Sequence, residues 1–182
     1  VVKRGVTLSA ANVDQSWIGL DADALFTERL GREVHMMNDA DAAGLAEVEL
    51  GVAKDRSGVV LLVTLGTGIG TALFVDGTLV PNTELGHIEL RGIDAEDYAS
   101  EKARIEADIS WKKYAARLDE FLAAMEALVN PDLIVLGGGG SKKADRFLPL
   151  LERTCEVVPA EMRNEAGIVG AALVGAGFGQ PT

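Results

Sequence analysis

The sequence predicts an α/β fold, and three features of its patterning carry that expectation. Short apolar runs alternate with helical spacing near both ends of the chain. A block of hairpin-linked strands lies between them, after the polar turn at residues 54–58. Hydrophobic residues make up 48% of the 182 positions, enough for a real core, and charged residues 25%, an ordinary globular share. A plain doubly wound sheet would alternate helix and strand throughout, and this chain does not.

Taken in order, residues 1–8 are predicted as strand, followed by a polar loop with Asn12, Asp14 and Gln15. Residues 21–31 have helical spacing, with Leu25, Phe26 and Leu30 apolar and Gly31 as the stop. "EVHMM" (33–37) is a short apolar strand, and residues 38–51 form a helix with a polar start and Gly51 at its end. Residues 59–66, 70–77 and 78–81 read as successive strands, with Asp76-Gly77 as a hairpin signal. The loop "NTELGHIEL" follows, then helix at 95–108 and 111–129. "PDLIVLGGGG" (131–140) is a buried strand running into a glycine loop. Residues 141–155 are predicted as a helix interrupted at Pro149, and a helix of small residues, 166–179, closes the chain by tight packing.

Bulk properties narrow the function. A net charge of -11 argues against DNA or a membrane surface as the main partner, because both reward clustered cations. Cys155 is the sole cysteine, so neither an internal disulfide nor a cysteine-based zinc site can form, which fits a reducing cytosol. No apolar run is long enough to span a bilayer. The chain begins without Met inside a strand, so it reads as starting in the middle of a domain.

Two glycine loops follow strands. In "LGTGIG" (65–70) a dinucleotide fingerprint would need a helix next, but "TALFVDG" is β-like. A Walker loop would need Gly-Lys-Ser/Thr, and there is no lysine. A strand–turn–strand hairpin remains, whose N–H groups and Thr67 hydroxyl could hold a phosphate oxygen. A glycine hairpin without a ligand stays open beside it. "LGGGGSKKAD" (136–145) has more glycines than a strand-to-helix turn needs, and Ser141 is placed to cap the helix. Two such loops suit a ligand with a phosphate end.

Asn38 and Asp39 fall where strand becomes helix, which suits capping. It also suits a base: the helix dipole favours the carboxylate form, which could take a proton from a hydroxyl attacking phosphorus. Glu84 and His87 flank a glycine and could exchange hydrogen bonds with a polyol; zinc lacks an HExxH or a cysteine pair.

"NDADAAG", "TLGTGIGTALFVDG", "ELGHIE" and "LGGGGSKKAD", in this order, resemble the ROK family of sugar kinases and repressors. The stretches "LVPNTELGHIEL" and "SKKADRFLP" are similar to its actinobacterial polyphosphate glucokinases. The resemblance implies an actin-like, ribonuclease H-like α/β fold, with residues 1–53 the remainder of an amino-terminal domain and 54–182 the carboxy-terminal domain. It implies phosphoryl transfer from polyphosphate or ATP, with Mg2+, to the 6-hydroxyl of glucose. Asp39 would be the base, Asn38, Glu84, His87 and Glu96 sugar ligands, Gly66, Thr67 and Gly68 a phosphate loop, and Gly138 and Gly139 the border of the nucleotide or polyphosphate end. A cytoplasmic homodimer without structural zinc is implied too, since "RGIDAEDYAS" stands where many members carry a cysteine motif. The family's D-x-G-G-T-x-x-K loop is absent, so the expectation is weak sugar binding, or no turnover, by this chain alone. Lys112, Lys113 and Arg117, with Lys142, Lys143 and Arg146, could supply a polyphosphate track or be two solvated helix faces. A non-catalytic sugar-sensing, repressor-type domain or an interaction domain on the same fold is the alternative function.

Overall fold

The computed structural model describes residues 1–9 and 14–179, so the predicted loop residue Asn12 lies outside the described residues. The centre is a five-stranded mixed sheet. Its strands are β3 (Val59–Leu65), β4 (Ile69–Val75), β5 (Thr78–Val80), β8 (Leu133–Gly137) and β9 (Glu156–Pro159), in the order β5-β4-β3-β8-β9. The hairpin pairs β3–β4 and β4–β5 are antiparallel, whereas β3–β8 and β8–β9 are parallel. Asp76 and Gly77 both take positive φ (48° and 76°), the backbone that a two-residue hairpin turn requires, and they join β4 to β5.

Both faces of the sheet are covered, which is why β3 reads as a continuous apolar run. Leu61, Val63 and Leu65 pack with Ile134 and Leu136 against α5 (Trp111–Val129), through Tyr114, Leu118, Phe121, Leu122 and Met125. Val60, Leu62, Leu133 and Val135 face the other way, onto Leu45 of α2 (Asp39–Glu49) and Val174 of α6 (Ala166–Gly175). The small residues of α6 have a physical reason: a Cβ on Gly170 would fall on the Ala42 carbonyl of α2. Helix α5 is capped by Ser110 and stopped by Asn130 in the left-handed region, with Pro131 next.

Helix α1 (Ala22–Leu30) follows its prediction, with Asp21 capping and Gly31 left-handed at its end. Elsewhere the structure corrects the sequence reading. Residues 1–8 are two strands, β1 (Val2–Lys3) and β2 (Val6–Thr7), because Arg4 and Gly5 both take positive φ and turn the chain back. Residues 33–37 form no strand; their backbone donors are satisfied by side chains, Val34 N–H by Thr27 Oγ1 at 3.0 Å and Met36 N–H by Asp23 Oδ1 at 2.7 Å. The helix predicted at 95–108 breaks into α3 (Ala95–Ala99) and α4 (Glu101–Glu106) at Ser100, whose ψ of 165° ends one helix and whose hydroxyl caps the next. Residues 141–155 are no α-helix: 3-10 turns cover Gly139–Arg146 and Leu148–Leu150, after glycines that hold helical dihedrals poorly. Ser141 caps nothing there; its hydroxyl donates back to the Gly138 carbonyl at 2.8 Å. Strand β9 escaped prediction. Its approach is fastened to α5 by Glu126, which accepts from Thr154 N–H, Thr154 Oγ1, Cys155 N–H and Arg153 Nη1 at 2.8–3.1 Å.

Candidate active site

The carboxyl end of β3, the turn into β4 and the start of α2 converge on an open cleft of about 620 Å³. Asn38, Asp39, Glu84, His87, Glu96, Gly66, Thr67, Gly68 and Gly138 all line it. Residues drawn from five separate stretches of sequence are thus brought together. Gly139 is the exception; it sits one residue past the lining, and a Cβ there would lie 3.7 Å from Glu101 Oε2.

Local structure fixes each group. Asn38 is the N-cap of α2: its Oδ1 accepts from the Ala40 and Asp41 N–H groups, and its Nδ2 donates to Glu84 Oε1 at 3.2 Å. The cap residue thereby holds a second cleft carboxylate. Asp39 is exposed; its Oδ1 accepts from Ala40 N–H at 2.9 Å, and its Oδ2 has no hydrogen-bond partner among the described residues. Asp41, buried behind them, accepts from Asn82 N–H at 2.9 Å and ties the loop before Glu84 to α2. Burial pushes its carboxyl up to about 6.

The Glu84 turn is pressed onto the sheet, because a Cβ on Gly86 would fall on the Ile69 carbonyl. Beyond it, β6 (Glu89–Leu90) and β7 (Ile93–Asp94) form a small hairpin that returns Asp94 to His87, whose Nδ1 lies 2.9 Å from Asp94 Oδ2. That hydrogen bond raises the His87 pKa. Glu96 Oε2 accepts from Ile69 N–H at 3.4 Å and occupies the space that a Cβ on Gly68 would need. His87, Asp94 and Glu96 place potential ligand atoms within 4.8 Å of one another, but His87 and Asp94 spend theirs on each other.

The glycines also pack the two loops together, for a Cβ on Gly138 would meet the Leu65 backbone oxygen at 2.6 Å. Gly66 N–H closes the first turn onto Gly68 O at 3.1 Å. The N–H groups of Thr67 and Gly68 donate to no described residue, so they are open to an anion at the cleft. None of Lys112, Lys113, Arg117, Lys142, Lys143 or Arg146 lines the cleft, and Arg117 is spent on Tyr98, 4.9 Å above its ring. The lining cations are Lys102 and Arg163, which sequence reasoning missed. Lys102 follows the Ser100 cap, and its N–H donates to Gly66 O at 3.1 Å.

Comparison with solved structures defines the class: an actin-like ATPase fold, shared with ROK sugar kinases. The crystal structure of inorganic polyphosphate/ATP-glucomannokinase from Arthrobacter sp. strain KM superposes with a TM-score of 0.92 at 53% identity, covering 97% of this chain and 70% of that one. Residues 2–97 match the ROK family, and the protein belongs to that family. It is 49% identical to the polyphosphate glucokinase of Mycobacterium tuberculosis (strain CDC 1551 / Oshkosh) over 95% of its length, and 48% identical to that of Mycobacterium leprae (strain TN) over the same share. The chain spans 66% of the first relative's length and 54% of the second's. Among the described residues no helix is long and apolar enough to cross a membrane.

Proposed function

We propose that the protein is a hexose kinase that moves a phosphoryl group from polyphosphate or ATP to the 6-hydroxyl of glucose. One observation carries this reading: a carboxylate, a set of hydrogen-bonding side chains and a glycine turn with open N–H groups share one cleft. The names of the relatives point the same way. Asn38, Glu84, His87 and Glu96 are the hydrogen-bonding groups for sugar hydroxyls. Asp39 accepts the proton of the attacking hydroxyl, leaving its oxygen free to approach phosphorus. The Thr67 and Gly68 N–H groups hold the transferring phosphoryl, and Gly138 and Gly139 border the donor's remaining phosphates. Lys102 and Arg163 supply positive charge at that end.

Mg2+ in such reactions is bound by one or two carboxylates together with donor phosphates. The cleft lining fits it, since the Asp97 carboxylate there has no hydrogen bond or ion pair among the described residues and leaves Asp39 to the proton. That carboxylate and the donor phosphates would hold the ion, which would offset charge on the phosphates. Homodimer assembly and a cytoplasmic location belong to the same reading and rest on family resemblance.

The test is glucose 6-phosphate formation with Mg2+, offering polyphosphate and ATP separately. Asp39→Asn should cost roughly 10²–10⁴-fold in turnover, the range for a lost general base. A folded protein that binds glucose but transfers nothing from either donor would mean that transfer needs the D-x-G-G-T-x-x-K loop, or that the protein is a sugar-sensing domain instead.

A further inference from the structure

We propose that Asp94 is the positioning residue of the sugar site, one carboxylate that orients both His87 and Glu96. The inference rests on the reading of this cleft as a hexose site. Its geometry comes from the β6–β7 hairpin. Arg91 and Gly92 take positive φ (55° and 81°) and reverse the chain, so that Glu89 pairs with Asp94 and Leu90 with Ile93. The Ala95 N–H then bonds the Ile88 carbonyl at 2.9 Å and closes the small unit. Asp94 therefore stands between the two sugar-site residues on either side of the hairpin.

Its two oxygens have separate tasks. Oδ1 accepts from Glu96 N–H at 3.1 Å and caps α3, fixing the start of the helix from which Glu96 reaches the Gly68 turn. Oδ2 lies 2.9 Å from His87 Nδ1. A carboxylate can only accept, so Nδ1 must carry the hydrogen. In the neutral ring this leaves Nε2 as a bare acceptor. Without such a partner, a neutral histidine in water favours the opposite tautomer. Asp94 thus sets which hydrogen-bonding role His87 offers the sugar: an acceptor for a hydroxyl donor.

The pair is open to water: the side chains of His87 and Asp94 keep 52% and 34% of their exposure. An ion pair so placed adds little to stability, so its consequence is orientation. Two other acids face the ring. Glu84 Oε2 is 4.0 Å from Nε2, and Glu96 acts on it through space. Arg91 of the hairpin is turned away, bound to Glu120 of α5 at 2.8 Å.

Asp94→Ser separates the two tasks. Serine caps a helix about as well as aspartate, but it is too short to reach His87. Asp94→Asn is the second variant: with a single carbonyl oxygen it keeps the cap only by turning its NH2 toward Nδ1, where it can only donate. Nitrogen NMR of His87 in the full chain, without sugar, reads the tautomer and the titration midpoint. Glucose affinity is measured on the same samples by calorimetry above the midpoint. The parent should show the Nδ1–H tautomer. Asp94→Ser should lose that preference and bind glucose about tenfold more weakly, with an unchanged thermal midpoint. Asp94→Asn should keep the cap but move the hydrogen to Nε2, with the His87 midpoint lowered and glucose bound about as weakly as by Asp94→Ser. A parent with hydrogen on Nε2 would overturn the proposal. So would Asp94→Ser binding glucose as tightly as the parent once its tautomer has changed. A parent that binds no glucose would instead overturn the sugar-site reading, and the role of Asp94 toward sugar with it, while the NMR still decides the pairing.

Discussion

Gly138→Ala tests the packing that joins the two glycine loops. Gly138 follows β8 with φ 76° and ψ −179°, a region of backbone space that essentially only glycine occupies. Forcing another residue there costs on the order of 1–3 kcal/mol. The added methyl would also lie 2.6 Å from the Leu65 oxygen and 2.7 Å from the Leu65 nitrogen. Both are backbone atoms of the central strand, at the root of the Gly66–Gly68 turn, and cannot swing aside. Overpacking of this kind costs a further ~1–3 kcal/mol. The expected loss is therefore about 2–6 kcal/mol, a large fraction of an ordinary domain's stability. The assay is urea unfolding of the parent, Gly138→Ala and Gly139→Ala. Gly139 is the internal control, because its φ is not positive and a Cβ there would meet nothing nearer than Glu101 Oε2 at 3.7 Å. The control should lie within about 1 kcal/mol of the parent, as surface changes without strain do. If Gly138→Ala unfolds at the same urea concentration as Gly139→Ala, the close approach of the loops is not what the structure says it is.

Two carboxylates should give opposite pH dependences of stability. Burial raises the folded pKa of Asp41 from 3.8 to about 6, so between those values the folded state binds more protons than the unfolded one. Stability should fall as pH rises through that window, by up to ~3 kcal/mol, and Asp41→Asn should flatten the fall in urea midpoints. At Glu126 burial pushes the pKa up, but the hydrogen bonds from Cys155 and Thr154 outweigh it and hold the group at about 2, below its ordinary 4.5. Its contribution is present above pH 4.5 and is lost as pH falls toward 2. Glu126→Gln should lower the urea midpoint at pH 6 and make it less sensitive to acid than the parent's.

What was legible in the sequence follows from which interactions are local. The strands of the β3–β4–β5 meander announce themselves through apolar runs and the Asp76-Gly77 turn, both encoded within a few residues. Helix α5 is equally local, with one apolar face, a serine cap and an asparagine stop. Strand β9 was missed because its identity depends on pairing with β8 and on Glu126, distant in sequence. Residues 33–37 misled for the converse reason: their apolar pattern is strand-like, yet Asp23 and Thr27 take the backbone donors. In the site, Asp39, Glu84, His87 and the glycines were visible as motif residues. Lys102 and Arg163 carry no motif and are placed in the cleft only by the fold. Asp94 was passed over because one aspartate before a helix reads as a cap; its bond to His87 needs the hairpin turn at Arg91-Gly92.

The most direct measurement is a crystal structure of the protein with glucose. The account predicts the sugar in the cleft, with its 6-hydroxyl within about 3.2 Å of an Asp39 carboxylate oxygen, the reach a proton acceptor needs. Asn38, Glu84, His87 and Glu96 should each contact a ring hydroxyl. Glucose bound outside the cleft, or bound within it with the 6-hydroxyl turned away from Asp39 and the Thr67 turn, would contradict the assignment.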